Sequence, residues 1–441
     1  MASRKNILEP FEKKKDFMND RIATGIEANR KGFAFLELFD EQGGKIKDAE
    51  IRIRQKTHDF KYGANLFMLD EFQTEEKNEK YRQYFAETFN LATLPFYWDA
   101  LEPEQGKPRY AKDSPKIYRR PAPDLCLEFC EANEIEPKAH CLNYAVFMPQ
   151  WAKGTVEWEK KSLEKRFREL SERYAERIPM WEVTNETAPR TDDRGAFYKQ
   201  KDYVEWSFAL AEHYFPANKL VINEASYVWN TPWFFQSDRT PYYMQIERAM
   251  MKGARIDSIG MQYHMFYRRE NEAKETAAYY DPEQLFDVMD TYAQLGKPLQ
   301  VTEVTIPAYS NLPEDEEIQA QIIRNLYRIW FSHPAMEAVI YWNLPDGYAH
   351  GAVPGDMTVG ENYYHAGLIR FDLTPKPAAR AIRDLFEKEW RTNLDLHTES
   401  GTLSFKGFYG EYDLEISIGG RKIRRSIHLM KNGCNHFEIK I

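Results

Sequence analysis

Two glutamates stand in apolar, strand-like runs: Glu186 closes Pro179-Met-Trp-Glu-Val-Thr-Asn-Glu186, and Glu303 lies within Pro298-Leu-Gln-Val-Thr-Glu-Val-Thr-Ile306. Paired carboxyl groups suit the cleavage of an acetal between sugars. One must be protonated to give its proton to the leaving oxygen, and the other ionised to meet the developing oxocarbenium ion. A single Glu is ordinarily a solvated surface charge. Two at the C-terminal ends of apolar strands, one of them preceded by Asn185, point instead to chemistry, because barrel folds keep their reactive groups at that end.

Such groups need a rigid frame, and the chain offers one. Strand-like runs recur at 59–67, 89–99, 136–144, 179–186, 219–224, 258–265, 298–306 and 338–346, separated by helical stretches with charged faces such as 161–174. Alternating βα units of that number predict a closed (β/α)8 barrel over 57–393. Residues 1–30 read as a charged N-terminal arm or helix. Period-two alternation then gives 33–39, a Gly43-Gly44 turn and 49–55, which predict a hairpin. The far end repeats the pattern at 403–409, 412–418, a Gly419-Gly420 turn, 426–430 and 436–441. Exposed sheet edges are costly, so both ends are expected to join in one small accessory β-sandwich formed by 31–56 and 394–441. The Gly-rich stretch 347–360 follows the eighth strand, either as a surface connection or as a flap over substrate.

Composition narrows the partners. The 441 residues carry 60 basic against 69 acidic side chains with no basic stripe, which argues against nucleic acid. An aromatic content of 15% suits a groove that stacks sugar faces, although most of these rings belong in the core. Cys126, Cys130, Cys141 and Cys434 form no CxxC and no zinc-like spacing, so buried free thiols are expected, and neither metal nor cofactor. No long apolar run or leader-like N-terminus occurs, which predicts a soluble chain with no membrane partner. Compartment stays open between an exported protein whose leader was removed and a cytoplasmic one, and oligomeric state is not read.

Several motifs together resemble glycoside hydrolase family 10, best known for endo-β-1,4-xylanases. The resemblance spans about 59–385. It rests on Trp98-Asp-Ala-Leu-Glu-Pro-Glu-Gln-Gly106, Ala139-His-Cys-Leu-Asn-Tyr144, Met148-Pro-Gln-Trp151, Trp181-Glu-Val-Thr-Asn-Glu186, Asn223-Glu224, Gly260-Met-Gln-Tyr-His264, Val301-Thr-Glu-Val-Thr305, Tyr341-Trp-Asn-Leu-Pro-Asp346 and Thr374-Pro-Lys-Pro-Ala378. It implies a retaining β-glycosidase acting on a β-linked glycan, with Glu186 as acid/base and Glu303 as nucleophile. Asn185 would hold the sugar 2-hydroxyl in subsite −1, Gln262 and His264 would orient the nucleophile, and Trp342 would floor the sugar. His140, Tyr144, Asn223, Trp98 and Trp151 complete the implied substrate-binding set, while Trp181 reads as barrel core.

Departures from the family pattern fall in the recognition shell. Where the family carries Glu, Asn and Lys to grip xylose in subsite −2, this chain has the apolar Thr93-Leu-Pro-Phe-Tyr97, with Phe96 and Tyr97 left as stacking surfaces. The family's Trp-His becomes Tyr144-Ala145. Thr305 replaces the acid that partners His264, and a second Trp of the eighth loop falls near His350. Specificity resides in such polar groups. β-Glycoside hydrolysis is therefore expected with weak use of plain linear xylan. The alternatives are a β-glycosidase or β-glucanase-like enzyme on another substrate, and a glycan-binding barrel weakened at its centre by Ala145 and Thr305.

Overall fold

A computed structural model describes residues 4–187, 195–231 and 237–441, so the first three residues of the expected arm lie outside it. A 3-10 helix at Arg4–Leu8 leads into two α-helices, Glu9–Lys13 and Lys15–Asn29. Their surfaces are charged, but Phe11, Met18 and Ile22 turn inward and join the apolar cluster of the barrel. Arg4 pins one end, donating to Glu272 Oε1 at 2.6 Å and to the carbonyl of Pro307 at 3.1 Å. Arg30 pins the other, donating to the carbonyls of Phe331, His333 and Met336.

The next strands, β1 (Lys31–Phe39) and β2 (Ala49–Gln55), correct the hairpin expectation, because they enter different sheets. Each buries one alternating face, with Ala34, Leu36 and Leu38 on β1 and Ala49, Ile51 and Ile53 on β2. Facing one another across a sandwich buries both sets, whereas side-by-side pairing would leave them on one open surface. The connection 40–48 makes the crossing.

Eight parallel strands then form the barrel: β3 (Lys61–Asn65), β4 (Leu91–Pro95), β5 (Glu136–His140), β6 (Met180–Asn185), β7 (Lys219–Glu224), β8 (Ser258–His264), β9 (Leu299–Thr305) and β10 (Met336–Tyr341). They follow chain order, and β10 closes against β3. The run 89–99 is shorter as a strand than its hydrophobicity implies. Trp98–Leu101 turns into a helix instead. Long helices cover the outside, such as Val156–Tyr174, whose N-terminus is capped by the Thr155 hydroxyl accepting from the Trp158 N–H.

The C-terminal strands β11 (Asn393–Thr398), β12 (Thr402–Phe408), β13 (Gly410–Ile418), β14 (Arg421–Leu429) and β15 (His436–Lys440) complete two sheets, ordered β12-β1-β15 and β11-β2-β13-β14. Gly419 and Gly420 join β13 to β14 with φ of 53° and 82°, the left-handed pair that a two-residue hairpin turn demands. Leu36, Ile51, Ile53, Leu414 and Ile416 share the core between the sheets. Cys126, Cys130 and Cys141 are buried free thiols. Cys434 departs from expectation, being exposed between β14 and β15. Among the described residues, no helix is long and apolar enough to cross a membrane, and no group of three His, Cys, Asp or Glu side chains is placed to hold a metal.

Candidate active site

The barrel interior is polar along part of its axis. Lys138 and His140 of β5 both bond to Glu182 of β6, and all three are at most 1% exposed. Burial works to raise the Glu182 carboxyl, but the ammonium and the imidazole overcome it and hold the group at about 2. Burial opposes charge on His140 too, yet the Glu182 carboxylate raises it above its ordinary value. Nearer the C-terminal ends of the strands, Asn223 of β7 accepts from the Thr302 hydroxyl at 2.6 Å. Its amide donates to Asn185 Oδ1 at 2.8 Å and to Glu303 Oε1 at 3.1 Å. Gly260 on β8 makes room, since a Cβ there would meet Asn223 Oδ1 at 2.6 Å.

Glu186 leaves β6 with φ of 50°, an uncommon conformation for a side chain of this size, and its N–H donates to the Asn223 carbonyl at 3.1 Å. Strain of this kind, held by surrounding structure, is frequent where a group must be aimed. The carboxylate accepts from the Tyr144 hydroxyl at 2.7 Å and from Gln262 Nε2 at 3.4 Å, and Gln262 Nε2 also donates to Asn185 Oδ1 at 3.3 Å. Burial, and then the carboxylate, push the Tyr144 hydroxyl far above its ordinary range, so it remains a donor. Glu303 is met on its other oxygen by His264 Nε2 at 3.0 Å, and His264 Nδ1 lies 2.8 Å from the Thr305 hydroxyl. A hydroxyl can donate where a carboxylate cannot. Thr305 can therefore pair with Nδ1 whichever ring nitrogen carries the hydrogen.

A cavity of about 200 Å³ opens over these groups. Tyr144, Asn185, Glu186, His264, Glu303 and Trp342 line it. So do Phe67, Tyr97, Arg119, Arg120, Phe147 and His350, together with His140, Phe266 and Glu361. Trp342 is set edge-on against Phe67, centroids 5.1 Å apart. The structure thus gathers Glu186, Glu303, Asn185, Tyr144, His264, Trp342 and His140 at one cavity. Asn223 and Gln262 reach the two carboxylates by hydrogen bonds without lining it.

Other expected residues lie elsewhere. Trp98 and Trp151 pack edge-on with centroids 5.5 Å apart, and their indole N–H groups go to Glu102, so neither lines the cavity. Phe96 corrects the expected stacking surface: it is fully buried between Tyr174 and Trp181, and only Tyr97 of that stretch reaches the cavity. Successive extended residues point to opposite sides, so one of the pair had to face inward. Trp181 is core, as read. Sequence reasoning missed Lys138, Glu182, Arg119, Arg120, Phe147 and Glu361. The doubled arginine in Tyr118-Arg-Arg-Pro121 was the available signal, a charged pair among apolar and proline neighbours.

Comparison with known proteins places this geometry in context. The model of glycosyl hydrolase family 10 matches residues 55–385. Anti-sigma-I factor RsgI6 of Acetivibrio thermocellus is 22% identical over 411 residues, which cover 91% of this chain and 47% of that protein, so the chain spans about half that relative's length. Endo-1,4-beta-xylanase B of Thermotoga neapolitana is 25% identical over 326 residues, 70% of this chain and 84% of that one. In fold, the crystal structure of xylanase 10B from Thermotoga maritima superposes with a TM-score of 0.58 at 23% identity, covering 75% of this chain and 96% of its own.

Proposed function

This chain belongs to glycosyl hydrolase family 10, and on that premise we propose that it is a retaining glycoside hydrolase cleaving β-1,4-linked, xylan-related chains. The observation that carries the reading is the hydrogen-bonded array in which Asn185, Asn223 and Gln262 connect Glu186 to Glu303 beneath one cavity. In the first step Glu303 attacks the anomeric carbon while Glu186 gives its proton to the departing glycosidic oxygen, leaving a glycosyl ester on Glu303. In the second, Glu186 takes a proton from water, the resulting oxygen attacks the same carbon, and the ester bond breaks. Asn185 holds the 2-hydroxyl, where a bond that tightens as the ring flattens favours the transition state. His264 steadies the nucleophile. Its pairing with Thr305 favours turnover over a binding-only barrel, because the imidazole keeps an oxygen partner although the acid is missing.

The test is the stereochemistry of the first product, read by proton NMR on xylo-oligosaccharides and aryl β-glycosides. Retention, with the β-anomer first, is expected, and the α-anomer first would sink the mechanism. Glu303→Gln should abolish turnover of all substrates. Glu186→Ala should lose about 10²–10⁴-fold on oligosaccharides but much less on glycosides with good leaving groups, which need no proton.

A further inference from the structure

We infer that the cavity holding Glu186 and Glu303 also binds the carboxylate of an acidic sugar, with Arg120 as its principal ligand and Arg119 in support. This specifies the substrate of the proposed hydrolase, and so rests on that reading for its site.

Arg119 and Arg120 are 2% and 6% exposed, and both line the cavity that holds Glu186 and Glu303. Burying a guanidinium is costly unless an anion or several acceptors meet it. Arg119 is largely spoken for. It donates to the Tyr348 carbonyl and to Asn343 Oδ1 at 2.8 Å, and Asn343 in turn donates to Glu361. Its Nε is enclosed without a partner. Arg120 has less: among the described residues its guanidinium makes one hydrogen bond, from Nη1 to the Arg119 carbonyl at 2.9 Å, and no ion pair. The charge is held in place by rings, 3.9 Å over Tyr97 and 5.5 Å from both Phe67 and Phe147. Such packing fixes the plane of the guanidinium and leaves its donors for a planar, bidentate acceptor, which a carboxylate is.

The carboxylates that line the cavity, Glu186, Glu303 and Glu361, have hydrogen-bond partners of their own. Glu361 accepts from Asn343, Asp99 acts on Arg120 only through space, and burial together with the two arginines lowers His350 below its ordinary value. Burial lowers Arg120 to about 10, which leaves it cationic at neutral pH. The surface around Arg120 offers a neutral pentose little. Its aromatic rings are occupied by the arginine, and Phe96 and Leu94 are withdrawn into the core. A hexuronate presents the matching group at ring C5, either as a side branch on a xylan chain or as the terminal sugar.

The decisive comparison is between a uronate-bearing xylo-oligosaccharide and the same compound with its carboxyl reduced to an alcohol, which keeps the shape and removes the charge. Calorimetric binding to Glu303→Gln and kcat/KM of the wild type should both favour the acid by about tenfold or more, the scale of a charged hydrogen bond. Arg120→Gln should bring that ratio close to one, and Arg120→Lys should keep part of it. An aryl β-glucuronide set against the matching β-glucoside separates a terminal uronate from a branch. Equal affinity of Glu303→Gln for the acid and its reduced form overturns the inference even if hydrolysis is found. Discrimination in binding without turnover of any glycoside by the wild type upholds it and discards the hydrolase reading. A ratio unchanged in folded Arg120→Gln overturns the assignment to Arg120.

Discussion

At the scale of single residues, Thr305 shows how an altered shell can keep its geometry. The hydroxyl sits 2.8 Å from His264 Nδ1 and keeps Nε2 directed at Glu303. Thr305→Val preserves shape and removes only that oxygen, so the imidazole loses one hydrogen bond. A fall in kcat of about two- to tenfold with KM nearly unchanged is expected, from a bond worth about 0.5–1.5 kcal/mol. Steady-state kinetics on an aryl glycoside decide it. A kcat equal to wild type would mean that the ring is oriented by packing against Phe266, which lies stacked at 4.8 Å.

At the scale of elements, the β5–β6 pair carries a buried ion cluster where a barrel more often carries aliphatic layers. Lys138, His140 and Glu182 satisfy one another across the two strands. Glu182→Gln should cost about 3–5 kcal/mol, because it leaves buried basic groups without their anion, whereas Lys138→Met combined with Glu182→Leu should cost less. The pH dependence has a definite sign. Glu182 is depressed from an ordinary 4.5 to about 2, so its contribution is present above 4.5 and lost as pH falls toward 2. His140 is raised, so its contribution is complete below its ordinary 6.5 and lost as pH rises through the raised value. The stability gap between wild type and Glu182→Gln should therefore be widest between about 4.5 and 6.5. Denaturant titrations across that range measure it, and a gap independent of pH would refute the linkage.

At the scale of the whole molecule, the N-terminal helices act as part of the barrel's core. Phe11 is 1% exposed and stacks on Tyr280, and arginines at both ends tie the segment to barrel loops. Phe11→Ala should lower stability by about 3–5 kcal/mol, as other large buried truncations do. Catalytic efficiency below the melting transition should stay unchanged, since the ring lies outside the cavity. Thermal unfolding and kcat/KM on the same sample test both halves, and an unaltered melting temperature would show that the segment only rests on the surface.

By itself the sequence determined the eight barrel strands and the two glutamates at their ends. Parallel strands buried on both faces read as largely apolar runs, so a charged residue at the C-terminal end of one stands out, whereas Lys138 and Glu182 inside β5 and β6 did not. The accessory strands were legible for the same reason, through alternation. Their partners were not, because period two says which residues share a face but not which strand lies beside which, and β1 and β2 were separated by the need to bury both faces. The same ambiguity hid the direction of Phe96. Arg119 and Arg120 sit between elements, where no periodicity marks a side chain as inward. Only the meeting of their loop with Phe67, Tyr97, Phe147 and the loop after β10 buries them and turns two surface-like residues into the charged wall of the cavity.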